Sequence, residues 1–375
     1  MDFIYGTKGE KSLFELVQIA LGHRKQLSAS LSRDEWAELY AMAEKQSLIG
    51  VCFSGIEKLQ LYGQCPPTDI LLEWYAKKEM VRRMNDLQVE EINEVCRILG
   101  ADGLKPCIVK GQSLTTYYPA QLKGLRQCGD IDVLVTDSDV NVLRYALAHE
   151  GETMEWGYKH VHMNIVNNSC VDLHYRLAMS RNLWRNRKIQ KWNRNLKHRG
   201  FGNMTGGSCP TLELDDNVVF LLLHASWHFL FEGVGLRHLM DIYFVIQSAK
   251  DIEIKERIRD FGLEKFAGAC SWVMWHVFEG CDPKSALLSD GTVLPPPNEK
   301  NGLFLLKEIL ETGNFGKFDK RKTVKKEDGV LVTIIKKWIH YTRLAKNYPV
   351  EFLWLPIGSL YVRLWKWKMG NKVYG

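Results

Sequence analysis

Residues 126–135 read RQCGDIDVLV, and no other stretch limits the possible folds as tightly. Ile131, Val133 and Val135 alternate with Asp130 and Asp132, the two-residue period of an extended strand. In a strand the apolar side chains enter a core while both carboxylates leave the opposite face. The chain therefore needs a sheet with one buried face and another that holds two adjacent negative charges. At ~4 Å and an effective dielectric near 20, two carboxylates repel by about 4 kcal/mol. A divalent cation between them reverses that repulsion. Mg²⁺ suits the position, because it takes one or two protein carboxylates and completes its shell with water and phosphate oxygens.

Neighbouring segments supply the rest of such a sheet. Cys107-Ile108-Val109 reads as a short buried strand, followed by Lys110-Gly111 and a short helix that ends before Pro119. Asp137-Ser138-Asp139 should cap a helix through about Glu150, and residues 161–166 and 170–175 form a hairpin around Asn167-Asn168-Ser169. Asp172 lies on the second arm with His174 on the same face. A third acid lets one site hold two ions roughly 3.5–4 Å apart, which activates an attacking hydroxyl and stabilises a departing pyrophosphate. In IVKGQSL, residues 108–114, Gly111 allows close backbone approach to a ligand. Lys110 adds charge, Ser113 a hydroxyl, and the first amides of the following helix can bind phosphate.

The remainder is helical. Leu13, Leu16, Val17, Ile19 and Leu21 start an apolar helix, and Ser32 with Glu35 has the form of a capping box. A longer helix opens at Pro66-Pro67-Thr68-Asp69 and stops at Gly100 and Gly103, the whole serving as a packing and support bundle. Residues 214–247 read as two helices around a bend at Gly233-Val234-Gly235. Helices are also expected at 330–345 and 359–367. The expected class is α+β: a helical region at 1–103, a small mixed-sheet catalytic domain at 104–205 and a second helical region at 206–375.

Composition narrows the classes. With 46% hydrophobic and 25% charged residues, wholesale disorder is excluded. A net charge of +6 is small for 375 residues, permitting an anionic ligand without demanding nucleic acid. The nine cysteines are scattered, odd in number and free of any C-x-x-C pair, which argues against a zinc ribbon or disulfide scaffold and for a reducing compartment. Lys8, Glu10 and Lys11 interrupt any signal peptide, and the longest apolar run, 218–231, is too short to span a bilayer. A cytoplasmic protein is expected.

Lys110-Gly111 through Leu114, Tyr118-Pro119, Arg126, Gly129-Asp130-Ile131-Asp132 and Val171-Asp172-Leu173-His174 together resemble a bacterial family of uncharacterised nucleotidyltransferases in the DNA polymerase β-like superfamily. The resemblance implies two Mg²⁺ ions and transfer of a nucleoside monophosphate from a nucleoside triphosphate (NTP), ATP among them, to a hydroxyl. Asp130 and Asp132 match the superfamily's metal-binding pair and Asp172 its third acid, which would help deprotonate the acceptor. Gly111 and Ser113 sit where the triphosphate is held, with Lys110, Arg126 and Gly129 beside them. Lys110-Gly111-Gln112-Ser113 departs from the plain Gly-Ser turn, and the gap from Gly111 to Asp130 is longer than usual. Residues 221–246, with His224, His228, Arg237 and Asp241, and ETGNFGK at 311–317 extend the resemblance. The acceptor is not implied; it could be a small molecule, a sugar, an RNA end or a protein. The alternative reading is a catalytically silent nucleotide-binding or protein-interaction scaffold.

Other features have two readings each. His224 and His228, with Glu232 one turn on, are buried histidines or metal ligands. Arg237 and Asp241 are an intrahelical pair, or Arg237 meets a nucleotide phosphate. His160, His162 and His174 are packed, or face the acids. Lys317, Lys320, Arg321, Lys322, Lys325 and Lys326 read as a solvated loop, diluted by Asp319, Glu327 and Asp328, with contact to a polyanion as the alternative. The tail, with Trp354, Tyr361, Trp365 and Trp367 beside Arg363, Lys366 and Lys368, reads as a helix covering the core, with a membrane surface as the alternative.

Overall fold

The computed structural model describes residues 6–199, 201–203, 209–249, 252–285, 293–319, 321 and 330–374. Three helices open the chain: α1 (Lys8–Leu21), α2 (Arg33–Lys45) and α3 (Ile49–Leu59). Ser32 and Glu35 form the expected reciprocal box at α2, and Thr7 with Glu10 forms another at α1. α3 begins after Leu48 with no side-chain cap, so no start signal marks it in the sequence. α4 (Thr68–Ala101) then runs 34 residues from the double proline.

The sheet is built from β1 (Pro106–Ile108) and β2 (Ile131–Val135), then, after α5 (Asp139–Glu150), β3 (His160–Met163) and β4 (Val171–His174). After α6 (Leu183–Arg199), β5 (Gly202–Asn203) and β6 (Pro210–Thr211) complete it. Its order is β3-β4-β2-β1-β6-β5. β3 and β4 form the antiparallel hairpin, β4 runs parallel to β2, and β2 runs antiparallel to β1. β6 adds to β1 in parallel, carrying the sheet to Thr211. The sheet is mixed and the class α+β. α6 escapes a sequence reading because Ile189, Trp192 and Leu196 make only a narrow apolar stripe among basic residues.

Strand alternation divides the sheet into two unlike faces. Ile131, Val133 and Val135, with Val161, Met163, Val171 and Leu173, pack against Val95 and Leu99 of α4 and Val142, Leu143 and Ala146 of α5. The opposite face carries Asp132, His160, His162, Asp172 and His174.

The C-terminal half supplies α7 (Leu214–Phe231), α8 (Leu236–Gln247), α9 (Lys255–Asp260), α10 (Glu264–Val277) and α11 (Glu299–Thr312). α12 (Val330–Ala345), α13 (Pro349–Leu353) and α14 (Leu355–Val373) end it. A larger core joins α1 and α3 to α7, α8, α10 and α11. α14 returns to the sheet, where Trp365 meets Trp156, Tyr158 and Tyr175. Of the basic connector, Arg321 is paired with Glu308, Glu311 and Asp319, whereas Lys320, Lys322, Lys325 and Lys326 lie outside the described residues. The nine cysteines form no disulfide with one another. Among the described residues no helix is long and apolar enough to cross a membrane.

Candidate active site

The parallel ladder of β2 and β4 sets Asp132 directly opposite Asp172. Both side chains are buried, at 3% and 5% exposure. His174 stands two residues on, and its Nε2–H donates to Asp132 Oδ1 at 2.9 Å. The ligand atoms of Asp132, Asp172 and His174 all lie within 4.8 Å of one another. From β3, His162 Nδ1 lies 2.5 Å from Asp172 Oδ1, and His160 Nε2 lies 3.7 Å from Asp172 Oδ2. Asp130 precedes the first residue of β2, is exposed, and joins none of these close groups among the described residues. It lines the same cleft as Asp132, together with Lys110, Gly111, Arg126 and Gly129. A larger groove lined by Lys45, Leu306 and Phe318 has none of these acids.

Two buried carboxylates at this spacing cannot ionise alike. Burial works to raise the Asp132 pKa, but the Lys110 ammonium, 2.8 Å from Oδ1, and the His174 hydrogen bond outweigh it and hold the group well below the usual carboxylate range. Asp172 moves the other way: burial and then the charge of Asp132 raise it. Lys159, desolvated and close to Lys110, is lowered to about 8. Burial, reinforced by His174 and Lys159, pushes His160 far down. Two carboxylates from adjacent strands fit a divalent cation that prefers hard oxygen donors, while His174, whose ring nitrogens face Asp132 Oδ1 and Arg176 O, orients the first of them.

The turn after β1 is strained where it meets the acids. Lys110 has φ 49° and ψ −161°, a conformation costly for a residue with a Cβ, and Gly111 follows at φ 57°. That turn swings Lys110 Nζ onto Asp132. Ser113, expected to offer its hydroxyl to phosphate, is fully buried instead, and its Oγ–H donates to Lys110 O at 2.9 Å. It braces the turn. Arg126 lines the cleft, but its guanidinium is spent: Nε and one terminal nitrogen each donate to Asp241 at 2.7 Å. Tyr118 adds a third donor to the same carboxylate. Asp241 thus pairs across to Arg126 and not along its own helix to Arg237.

That exchange leaves Arg237 buried with no carboxylate within ion-pair reach among the described residues. One terminal nitrogen donates to Gln127 O at 2.7 Å, and its Nε–H has no partner. Next to it, the Gly235 amide donates to His238 Nδ1 at 3.3 Å, which assigns the ring proton to Nε2, also without a partner. His224, His228 and His238 converge closely enough to be considered as metal ligands. That tautomer denies His238 Nε2 a lone pair, which argues against a three-histidine metal site. Burial holds all three imidazoles neutral near pH 7. His228 Nδ1 meets Glu232 Oε2 at 2.7 Å. Phe315 closes this side, over Arg237 and edge-on to His238. Its loop fits because Gly316 lies against the 232–233 turn so tightly that a Cβ would stand 2.1 Å from Glu232 O.

The chain matches the model of an uncharacterised nucleotidyltransferase family over residues 32–279, which spans the sheet, both acids and α7 to α10. It belongs to that family. No curated protein matches it. Membership supports a nucleotidyl-transfer role, and the cleft between the sheet and α7–α8 brings Lys110, Arg126, Asp130, Asp132, Arg237 and Asp241 of this nucleotidyltransferase family member together.

Other residues that build the site carried little signal in the sequence. Asn85, Gln88 and Glu91 lie on the inward side of α4. Asn85 Nδ2 donates to Gly124 O and Arg126 O, Gln88 Nε2 to Gly129 O, and Gln112 donates back to Asn85 Oδ1. Glu91 accepts from the Asn168 amide in the hairpin turn. Buried amides satisfied this fully fix the loops that carry Gly129 and Asp130. The one hint was a polar i, i+3, i+6 stripe in a helix otherwise apolar on that side. His238 and Phe315 had no such hint.

Proposed function

We propose that the chain is a Mg²⁺-dependent nucleotidyltransferase, moving a nucleoside monophosphate from an NTP to a hydroxyl acceptor with release of pyrophosphate. The observation that carries this reading is the in-register pair Asp132 and Asp172, buried side by side on one face of the sheet, with Asp132 sharing its cleft with Arg237, which has no carboxylate within ion-pair reach among the described residues. Asp130, Asp132 and Asp172 would hold two Mg²⁺ ions, with His174 orienting Asp132. When bound, such ions polarise the phosphoryl oxygens and lower the pKa of an attacking hydroxyl.

The protein's own groups have separable tasks. Lys110 in the metal-free chain neutralises Asp132; with its carboxylate engaged elsewhere, its ammonium is free to meet a phosphate. Gly111 lets the backbone approach, and Gly129 leaves the entrance to Asp130 open. Arg237 and His238, with unpartnered N–H groups, suit the triphosphate better than Ser113 or Arg126, whose donors are committed. Asp172 would help deprotonate the acceptor hydroxyl through the ion it holds. Arg126 holds the sheet domain to α8 and so sets the distance between the acids and Arg237.

A second reading, a silent nucleotide-binding scaffold, is favoured by one observation: Lys110 already compensates Asp132 at 2.8 Å. Pyrophosphate release from each NTP, with and without Mg²⁺, separates the two. Transfer predicts Mg²⁺-dependent release that Asp130→Asn and Asp132→Asn abolish. NTP-dependent thermal stabilisation with no release, unchanged by either substitution, would establish the scaffold instead.

A further inference from the structure

α14 has two faces, and only one is used. Gly358, Trp365, Met369 and Val373 turn inward, with Gly358 so close to Arg181 that a Cβ would stand 2.4 Å from its carbonyl oxygen. On the outer side Ile357, Leu360, Leu364 and Trp367 are 51, 58, 57 and 69% exposed, and Leu353 just before the helix is 75% exposed. At about 100° per residue these four side chains fall within an arc of about 80°. Exposed aliphatic and indole groups in a continuous stripe are unusual on a soluble surface and mark an interaction site.

The charges around the stripe identify what covers it. Arg363 borders one edge and Lys368 and Lys372 the other, Lys366 turns back to donate to Trp156 O, and no Asp or Glu occurs from residue 352 to 374. All four cations are exposed. A second copy of the chain laid along the stripe would set Arg363 and Lys368 against their own equivalents, with no acid on either helix to answer them. An anionic lipid surface answers Arg363, Lys368 and Lys372 alike. An apolar stripe flanked by Lys and Arg, with an indole among the aliphatic groups, is the form of a helix lying in a bilayer interface.

We propose that α14 docks this chain on an anionic phospholipid surface, its inner face holding the sheet domain and its outer face entering the interface. This rests on α14 alone and is independent of the reaction assigned above. The test is co-sedimentation of the full chain with phosphatidylcholine vesicles, with or without phosphatidylglycerol, alongside light scattering. The wild type should partition at least ~10-fold more strongly onto the mixed vesicles and lose that preference at high salt. Leu360→Glu with Leu364→Glu should lower partition at least ~10-fold at an unchanged thermal midpoint, because both side chains already face water. Lys368→Ser with Lys372→Ser should weaken binding to the mixed vesicles only. The proposal is overturned if the wild type stays in the supernatant or if the double-glutamate variant pellets equally well. It is equally overturned if light scattering shows a dimer that this variant dissolves, since a second copy would then cover the stripe.

Discussion

Replacing Asp172 by asparagine should stabilise the metal-free protein while removing its response to Mg²⁺ and NTP. Asp132 and Asp172 have carboxylate oxygens no more than 4.8 Å apart. At an effective dielectric near 20, that spacing corresponds to a repulsion of at least about 3.5 kcal/mol. Lys110 on Asp132 and His162 on Asp172 offset part of it, leaving an expected gain of about 1–2 kcal/mol for the neutral amide. Asparagine keeps the shape and an oxygen for His162. Scaled to 375 residues, the unfolding entropy makes 1 kcal/mol worth about 1.3 °C, so the metal-free midpoint should rise by about 1.3–2.6 °C. Wild type with Mg²⁺ and NTP at a hundred times Kd should gain about 2.7 kcal/mol, near 3.5 °C, and the variant nothing. The sign with pH follows from the raised Asp172 pKa. Its contribution to stability is fully present below the unfolded carboxylate value and lost as pH rises through the folded one. The variant's advantage should therefore be largest at neutral pH and vanish in acid. Differential scanning fluorimetry across pH measures both. A metal-free variant less stable than wild type at pH 7, or one that still responds to Mg²⁺ and NTP, would refute the reasoning.

Other outcomes follow from the same geometry. Arg126→Met or Asp241→Leu alone leaves an uncompensated buried charge and should cost about 3–5 kcal/mol, whereas the two together should recover most of it; chemical denaturation of all four proteins measures the coupling. Arg237→Ala should raise the NTP KM by about tenfold or more, through loss of a charged hydrogen bond to phosphate, while the lost bond to Gln127 O lowers the metal-free midpoint; initial rates across NTP concentration measure the first effect. Lys159→Met should raise the midpoint at pH 7. A lysine lowered to about 8 by burial is held charged at a cost below that pH, and the cost is relieved as pH rises toward the unfolded value, so the two proteins should converge near pH 10.5. Thermal scans at successive pH values check the convergence.

Local chemistry determined much of this molecule. Alternation at 130–135 and 170–175 sufficed to place β2 and β4 and to separate their acidic and apolar faces. Ser32 with Glu35, Ser138 and the double proline before Thr68 marked helix starts to within a residue. These signals are short in range, because a strand's period and a cap's hydrogen bond involve residues fewer than five apart. Tertiary structure decided the rest. Whether Arg126 faces a phosphate or Asp241 depends on two residues 115 apart in the chain, and only the seating of α8 on the sheet domain settled it. That choice freed Arg237 and admitted His238 to the cleft. The amides of α4 and Phe315 became part of the site in the same way. A polar or aromatic side chain takes its role from whichever partner packing delivers, and periodicity fixes which way it points but not what it meets.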